Sequence, residues 1–357
     1  MTISLLPWSK SVLPGGDGVL RGNDRLGLTD GPPGELNIAG SGFGVGPTVV
    51  LFDRFNDQAI GETINTTADI GGWKVDGNAA FNLRPPIVGF GGRNALTHND
   101  PAPGQGWTKY GLDAGPDQGI PHYTRYTEFY KLAVPAGKNF PGAGTPETFP
   151  SVSSMKVTWH QGHGLAGVDG TNDLVSLTHV GAGSFQGAGN NIEGQYWNGF
   201  GTAWKWDEWN SIVNIYSPDS PDIQGPNGSQ NLNAWNSAGK FSDINDPWAC
   251  WKNNGGLPLP TPLRFDDIAV LAWSGNGTHT DSQLVMAQYY LSVGENHEKY
   301  LLLANNADLS LATNTDVVAA DSWSDIYIQA SLSDDEVADN THYFVMSNQA
   351  ILATGAI

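Results

Sequence analysis

Glycine and proline interrupt this sequence so often that long helices have nowhere to form. Gly 46 and Pro 22 are spread over 357 residues. Glycine loses the most backbone entropy on entering a helix, and proline lacks the N–H that the helix ladder needs. Turn residues recur about every 8 to 12 positions, the spacing of short strands in an all-β chain. The runs between them predict strands at 35–39, 49–53, 123–134, 154–160, 174–179, 208–216, 231–235, 265–273, 284–292, 300–304, 325–332 and 343–347. Alternation supports several of them. Met155, Val157 and Trp159 fall on one face, and Lys156, Thr158 and His160 on the other. Ile326, Ile328 and Ala330 likewise oppose Tyr327, Gln329 and Ser331. Asn-Gly steps at 198–199, 227–228, 254–255 and 276–277 predict tight turns.

Two stretches lack strand signal, 1–34 and 91–122. The first carries Pro14-Gly15-Gly16-Asp17-Gly18 and Gly31-Pro32-Pro33-Gly34. A structureless loop of about 30 residues is rare in a compact domain unless it contacts something, or covers a sheet edge.

Charge and cysteine content exclude several classes. Lys+Arg 17 against Asp+Glu 36 gives a formal charge of -19, which would repel a phosphate backbone, so nucleic acid is not an expected partner. The single cysteine, Cys250, allows no internal disulfide and no thiolate cluster. It sits between Trp248 and Trp251 and reads as a small buried apolar residue. Hydrophobic content of 39% is too high for disorder. Apolar runs such as Leu301-Leu302-Leu303-Ala304 are too short to span a bilayer, so no membrane helix is expected. Near the N-terminus Leu5-Leu6 is stopped by Pro7 without a basic region, so no secretory signal peptide is expected.

Residues 35–55 read ELNIAGSGFGVGPTVVLFDRF. The turn Gly40-Ser41-Gly42-Phe43-Gly44 resembles the opening of Ig-like domains of the IPT/TIG type, with glycines for positive φ and Phe43 to plug the core. Val49 to Phe55 is similar to the first strand of concanavalin A-like (laminin G-like) jelly rolls. The segments 126–132, 155–159, 204–216, 227–235 and 264–273 resemble later strands of that fold. The Ig-like pattern resumes at 300–304, 322–332 and 341–347. The resemblance implies an all-β chain with an extended N-terminal arm at 1–34. A concanavalin A-like jelly-roll β-sandwich at 48–293 is inserted in a small Ig-like β-sandwich split between 35–47 and 294–357.

Chains of this arrangement resemble bacteriophage virion structural proteins. That implies a non-enzymatic head decoration, fibre or tail component on the virion surface, extracellular after host lysis. The arm and Ig-like domain would anchor it, and the jelly roll would face outward toward a host surface glycan. Its partners would be capsid or tail proteins and further copies of itself, with no membrane. The alternative is a secreted or surface glycan-binding module of a bacterium, or an alginate-lyase-like polysaccharide lyase.

Three sets of residues are candidates for chemistry. Seven of 13 tryptophans lie between 197 and 251. Trp197, Trp204, Trp206, Trp235, Trp248 and Trp251 are read as a glycan platform or an interface, with a sandwich core as the structural alternative. Asp53, Asp57, Asp266 and Asp267 match the carboxylates that hold a structural calcium in many jelly rolls; their alternative is hydrogen bonding at strand ends. Gln161, His163, Arg125, Glu128, Tyr289 and Tyr290 partly match the Gln-x-His, Arg-rich and Tyr-rich strands of alginate lyases. Gly162 stands where those carry a branched apolar residue. No Glu-x-Asp-x-x-Glu strand of a glycoside hydrolase is present, and no catalytic residue is assigned.

Overall fold

The computed structural model describes residues 19–21, 34–62, 64, 67–75, 87–99, 110–112, 125–138, 155–162, 173–181, 184–189, 196–199, 204–218, 228–246, 267–274 and 283–357. Every strand pairing among them is antiparallel, and the one helix among them is Asp334–Asp339. The chain is all-β, as the glycine and proline spacing demands.

Four sheets stack face to face. The first orders its strands Tyr196–Gly199, Ser184–Gly189, Asp173–Gly181, Met155–Gly162 and Asp267–Ser274. The second runs Gly239–Asp246, Gly228–Asn236, Asn210–Pro218, Tyr126–Ala133 and Gln283–Val293. The far edge of Gln283–Val293 is shared by Arg93–Asn99, followed by Ile87–Phe90, and by Thr48–Asp53. The third holds Thr315–Val318, Lys299–Ala304, His342–Ser347 and Ala350–Ala356, and the fourth Val19–Arg21, Gly34–Ala39, Tyr327–Leu332 and Ser322–Trp323.

Burial shows the order of the stack. Tyr126–Ala133 is buried at all eight positions, so its sheet is covered on both faces. One face sends Tyr126, Tyr130, Leu132, Ile212, Met286 and Leu291 into a core that also holds Val270 of the five-stranded sheet. The other sends Phe129, Val213, Ile215, Trp235 and Tyr290 against Tyr300, Leu302, Phe344 and Met346 of the third sheet. That third sheet turns Leu301, Leu303, Tyr343 and Val345 toward Leu36, Ile38, Ile328 and Ala330 of the fourth. Tyr327–Leu332, in the outermost sheet, shows the alternation of a half-buried strand instead.

A buried ion network ties the second sheet to the third. Asp316 accepts two bonds of 2.8 Å from the Arg93 guanidinium and one of 2.9 Å from Lys131 Nζ. Asn340 Nδ2 adds a bond of 2.8 Å to the same carboxylate. Nearby, Glu336 on the short helix accepts from Arg54, which also binds Asp69. Ser333 caps that helix in a reciprocal box with Glu336.

Each expected strand falls on an observed one, with ends shifted by a few residues. The stretch expected to be loop at 91–122 holds two strands, Arg93–Asn99 and Tyr110–Leu112. Arg93–Asn99 escapes a pattern search because Ala95 and Leu96, on opposite faces, are both buried. Within 1–34, Val19–Arg21 pairs with Leu36–Ile38 as an edge strand. Ile326 lies just outside its strand and is 63% exposed, while Ile328 and Ala330 enter the core. The Asn-Gly steps at 254–255 and 276–277 lie outside the described residues. Asn198-Gly199 ends a strand rather than turning a hairpin. The 40–44 turn has the expected geometry: Gly42 and Gly44 take φ of 81° and 64°, and Phe43 is buried.

Candidate functional site

Among the described residues the eight-stranded sheet is covered on both faces, whereas the five-stranded sheet packs on the stack with one face. Its register assigns residues to its two faces. Trp197 pairs with Ala188, Ala188 with Leu177, Leu177 with Trp159, and Trp159 with Ala269. Directly paired residues share a face, so these five form one row across five strands. Thr158, one residue before Trp159, is buried and bonds into the eight-stranded sheet. By strand alternation the Trp197–Trp159 row belongs to the sheet face opposite that of Thr158. Its two tryptophan positions stand three strand spacings apart, roughly 14 Å.

Beneath the row lies a polar cluster inside the sandwich. Glu128 sits among Tyr126 and Tyr130 on the inward face of its strand and is fully buried. Its Oε1 accepts from Asn214 Nδ2 at 2.8 Å and from Thr158 Oγ1 at 3.2 Å. Its Oε2 accepts from the Tyr289 hydroxyl at 3.3 Å. Three strands of one sheet and one of the other thus meet on a single carboxylate. Burial, with the Glu128 charge next, pushes the Tyr289 phenol well above its ordinary range. Tyr289 is consequently a fixed hydrogen-bond donor rather than a ready base.

The tryptophan set divides by position. Trp204 lies in the jelly-roll core. Trp235 lies between the second and third sheets and donates Nε1 to the Leu309 carbonyl at 2.8 Å. Their burial removes both from any sugar-facing platform. Trp206 is half-buried against the jelly-roll core. Trp197 is on the edge strand of the outer sheet, while Trp248 and Trp251 lie outside the described residues, as does Cys250. Trp159, which alternation placed on a face without saying which way that face turned, joins Trp197 instead.

The calcium set does not assemble as expected. Both oxygens of Asp53 are taken by N–H donors, Phe55 N at 2.7 Å and Trp73 Nε1 at 2.5 Å. Asp53 thus holds backbone and indole N–H groups at its strand end, the alternative role set out above for this carboxylate. Asp57 accepts from Thr67 Oγ1 at 2.9 Å at the surface. Asp267 opens a strand of the other sheet, and Asp266 is outside the described residues. Among the described residues no three acidic, histidine or cysteine side chains are grouped for a metal.

Asp53 instead gives a pH dependence. Burial pushes its carboxyl up to about 7 from an ordinary 3.8. The folded protein keeps this proton where the unfolded chain has lost it, so stability falls as pH rises from about 4 to 7. Asp53→Asn removes that loss, at a pH-independent cost because its Nδ2 faces one of the two N–H donors. Its stability relative to wild type should rise by about 3–4 kcal/mol between pH 4 and pH 8. Urea unfolding at the two pH values measures it, and a difference that does not change with pH would rule the assignment out.

Of the lyase-like residues, Glu128 and Tyr289 are brought together. Tyr290 faces the other way, into the core shared with the third sheet. Arg125 precedes the Tyr126–Ala133 strand, and Gln161 pairs in backbone register with Leu174 and Asp267. His163 lies outside the described residues.

No known protein family and no curated protein sequence matches the chain. Solved structures do resemble it. Alginate lyase Aly36B is 13% identical, with a TM-score of 0.42 over 70% of this chain and 98% of its own. Alginate lyase vAL-1 from Chlorella virus is 14% identical, with a TM-score of 0.40 over 62% and 93%. The carbohydrate esterase vb_24B_21 from Shiga toxin-encoding bacteriophage phi24B is 12% identical, with a TM-score of 0.39 over 70% and 100%. These neighbours are sheet-rich proteins that bind or process carbohydrate, one of them from a phage. Their likeness is one of fold. The expectation of a non-enzymatic chain is corrected to one left open, since the neighbours are named as lyases, an esterase and a sialidase.

Proposed function

We propose that this chain recognises a polysaccharide on the Trp197–Trp159 face of its five-stranded sheet. The register row that puts Trp159 and Trp197 on one face carries this reading. Tryptophan offers a broad apolar ring that stacks on a sugar's C–H face, and two such residues on a rigid sheet engage one extended chain. Ala188 and the aliphatic Leu177 between them leave the row free of charge and of bulky polar groups.

The glycan class follows from electrostatics. A protein of charge -19 repels a polyuronate, so a neutral polysaccharide is the fitting partner. The third and fourth sheets, which carry the Ig-like sequence pattern, serve as the mount, and a virion surface is the setting proposed for it. The buried network at Asp316 supports this, since it makes mount and jelly roll one stack.

Affinity electrophoresis in gels containing a neutral glucan or alginate tests the reading. Trp159→Ala and Trp197→Ala should each weaken retention by neutral glucan about tenfold, equal to about 1.4 kcal/mol, with melting unchanged within a few degrees. Retention by alginate alone would overturn the glycan class. Retention by glucan that survives both substitutions would overturn the site.

A further inference from the structure

We propose that the strand Ala350–Ala356 pairs antiparallel with the same strand of a second copy, continuing the third sheet across a two-fold axis. Sheet edges expose unpaired N–H and C=O groups, and proteins blunt them with charge, shortness or cover. The other edges among the described residues are blunted in these ways, Thr48–Asp53 being bonded at Phe52 by Ile70 and Trp73–Val75 having three residues. Gly239–Asp246 carries Lys240, Asp243 and Asp246. Ile87–Phe90 has four residues, and Ile87 is tied to Gly61 and Glu62 by backbone bonds of 2.8 and 2.7 Å. Thr315–Val318 gives its carbonyls to Ser211 and Gln288. Asp267–Ser274 lies beside Tyr110–Leu112. Val19–Arg21, Ser322–Trp323 and Tyr196–Gly199 have two to four residues each.

Ala350–Ala356 has none of these protections. Its sequence AILATGA has seven residues, no charge and no proline. One edge pairs with His342–Ser347, and Ala353 enters the core of the third and fourth sheets, so the strand is anchored in place. Ile351 on it is 50% exposed. Ala350 pairs with Ser347, which pairs with Lys299, and the Lys299 ammonium donates to the Val45 carbonyl at 2.9 Å. Val45 is 71% exposed at this same end. Ile326 is also there, since the Asp325 carboxylate and carbonyl bind Gly44 and Phe43. Of the five large exposed hydrophobics among the described residues, Ile351 is thus on the open edge strand itself, and Val45 and Ile326 lie at the same end of the sheet.

A second copy is the occupant that fits. The chain carries -19, and this uncharged strip is where two such chains meet with least repulsion. An antiparallel strand is its own complement about a two-fold axis, so one surface supplies both sides. The pairing is independent of sugar binding and survives or fails without it.

Sedimentation equilibrium of the full chain from about 1 to about 100 µM tests it. The expected result is a monomer–dimer equilibrium, with amide exchange at 350–356 slowing as concentration rises. Ile351→Lys puts a like charge on both strands at an exposed position. It should shift dissociation to at least tenfold higher concentration with no change in melting. A monomer throughout the range overturns the proposal. So does a dimer that survives Ile351→Lys with exchange at 350–356 independent of concentration.

Discussion

Asp316→Ala is expected to cost about 3–5 kcal/mol, the usual penalty for breaking a buried ion pair. Most domains have only about 5–15 kcal/mol in hand, so this one change brings the fold near its limit. The reason is what remains. Lys131 and Asp316 are completely buried, and Arg93 nearly so. Removing the carboxylate leaves two cations between sheets, Arg93 with Asp339 as its remaining carboxylate and Lys131 with only the neutral Asn314 and Thr315 oxygens, and takes one of the two acceptors of Asn340 Nδ2. Urea unfolding followed by tryptophan fluorescence measures the loss. A second variant separates charge from packing: Asp316→Leu combined with Lys131→Met and Arg93→Met removes all three charges and should recover part of the stability. A loss below about 1 kcal/mol for Asp316→Ala would show the network to be ornamental.

The same carboxylate sets the acid limb. Burial alone would raise its pKa, but Lys131 and Arg93 hold it well below the ordinary 3.8. Its contribution is therefore present above about pH 4 and is lost as pH falls below that value. Glu336 acts in the opposite sense. Burial pushes it up to about 6 from 4.5, against the pull of Arg54, so it costs stability as pH rises from 4.5 to 6. Asp53 adds to that second trend. Acid unfolding below pH 4 should accordingly weaken most in the variant that lacks Asp316.

The sequence made strands legible wherever glycine punctuation and alternation coincide, as at 300–304 and 343–347. It concealed strands whose residues break the alternation. Ser184–Gly189 spends two of six positions on glycine, and Gly239–Asp246 carries charge on an edge. Alternation also assigns faces without saying which way they turn. Alternation put Trp159 on one face with Met155 and Val157, and the burial of Thr158 on the other face identifies which of the two faces meets the sandwich core. Trp204 and Trp235 bear out the core alternative weighed for the tryptophan set, but which of the set are core was not legible, because burial depends on the sheet stacked above them. The Asp316 network was beyond reach: Arg93, Lys131 and Asp316 are brought together only when the third sheet docks. Glu128 did leave a trace, a carboxylate at the centre of the face Tyr126-x-Glu128-x-Tyr130. On a strand that aromatic, a central acid has to be bonded or it would not be tolerated.

Glu128→Ala is the second change expected to be severe, at about 3 kcal/mol or more, since three buried donors lose one acceptor and each orphan costs about 1–3 kcal/mol. Glu128→Gln keeps one oxygen for Asn214 and Thr158 and should cost about half as much. The consequence for recognition follows from strand geometry. Thr158 is held from inside by Glu128, and Trp159 is the next residue on the opposite face, so the carboxylate fixes the strand on which the tryptophan row depends. Thr158→Val severs the cross-sheet bond while preserving shape, so its stability cost should stay near 1 kcal/mol, the net worth of one hydrogen bond. Glucan retention should nonetheless weaken severalfold, because the row loses its fixed height above the sandwich. Tyr289→Phe removes the bond on the other carboxylate oxygen, away from Thr158, and should change stability by a similar amount with retention intact. If Thr158→Val and Tyr289→Phe affect retention equally, the clamp acts only through overall stability, and Glu128 has no part in positioning the row.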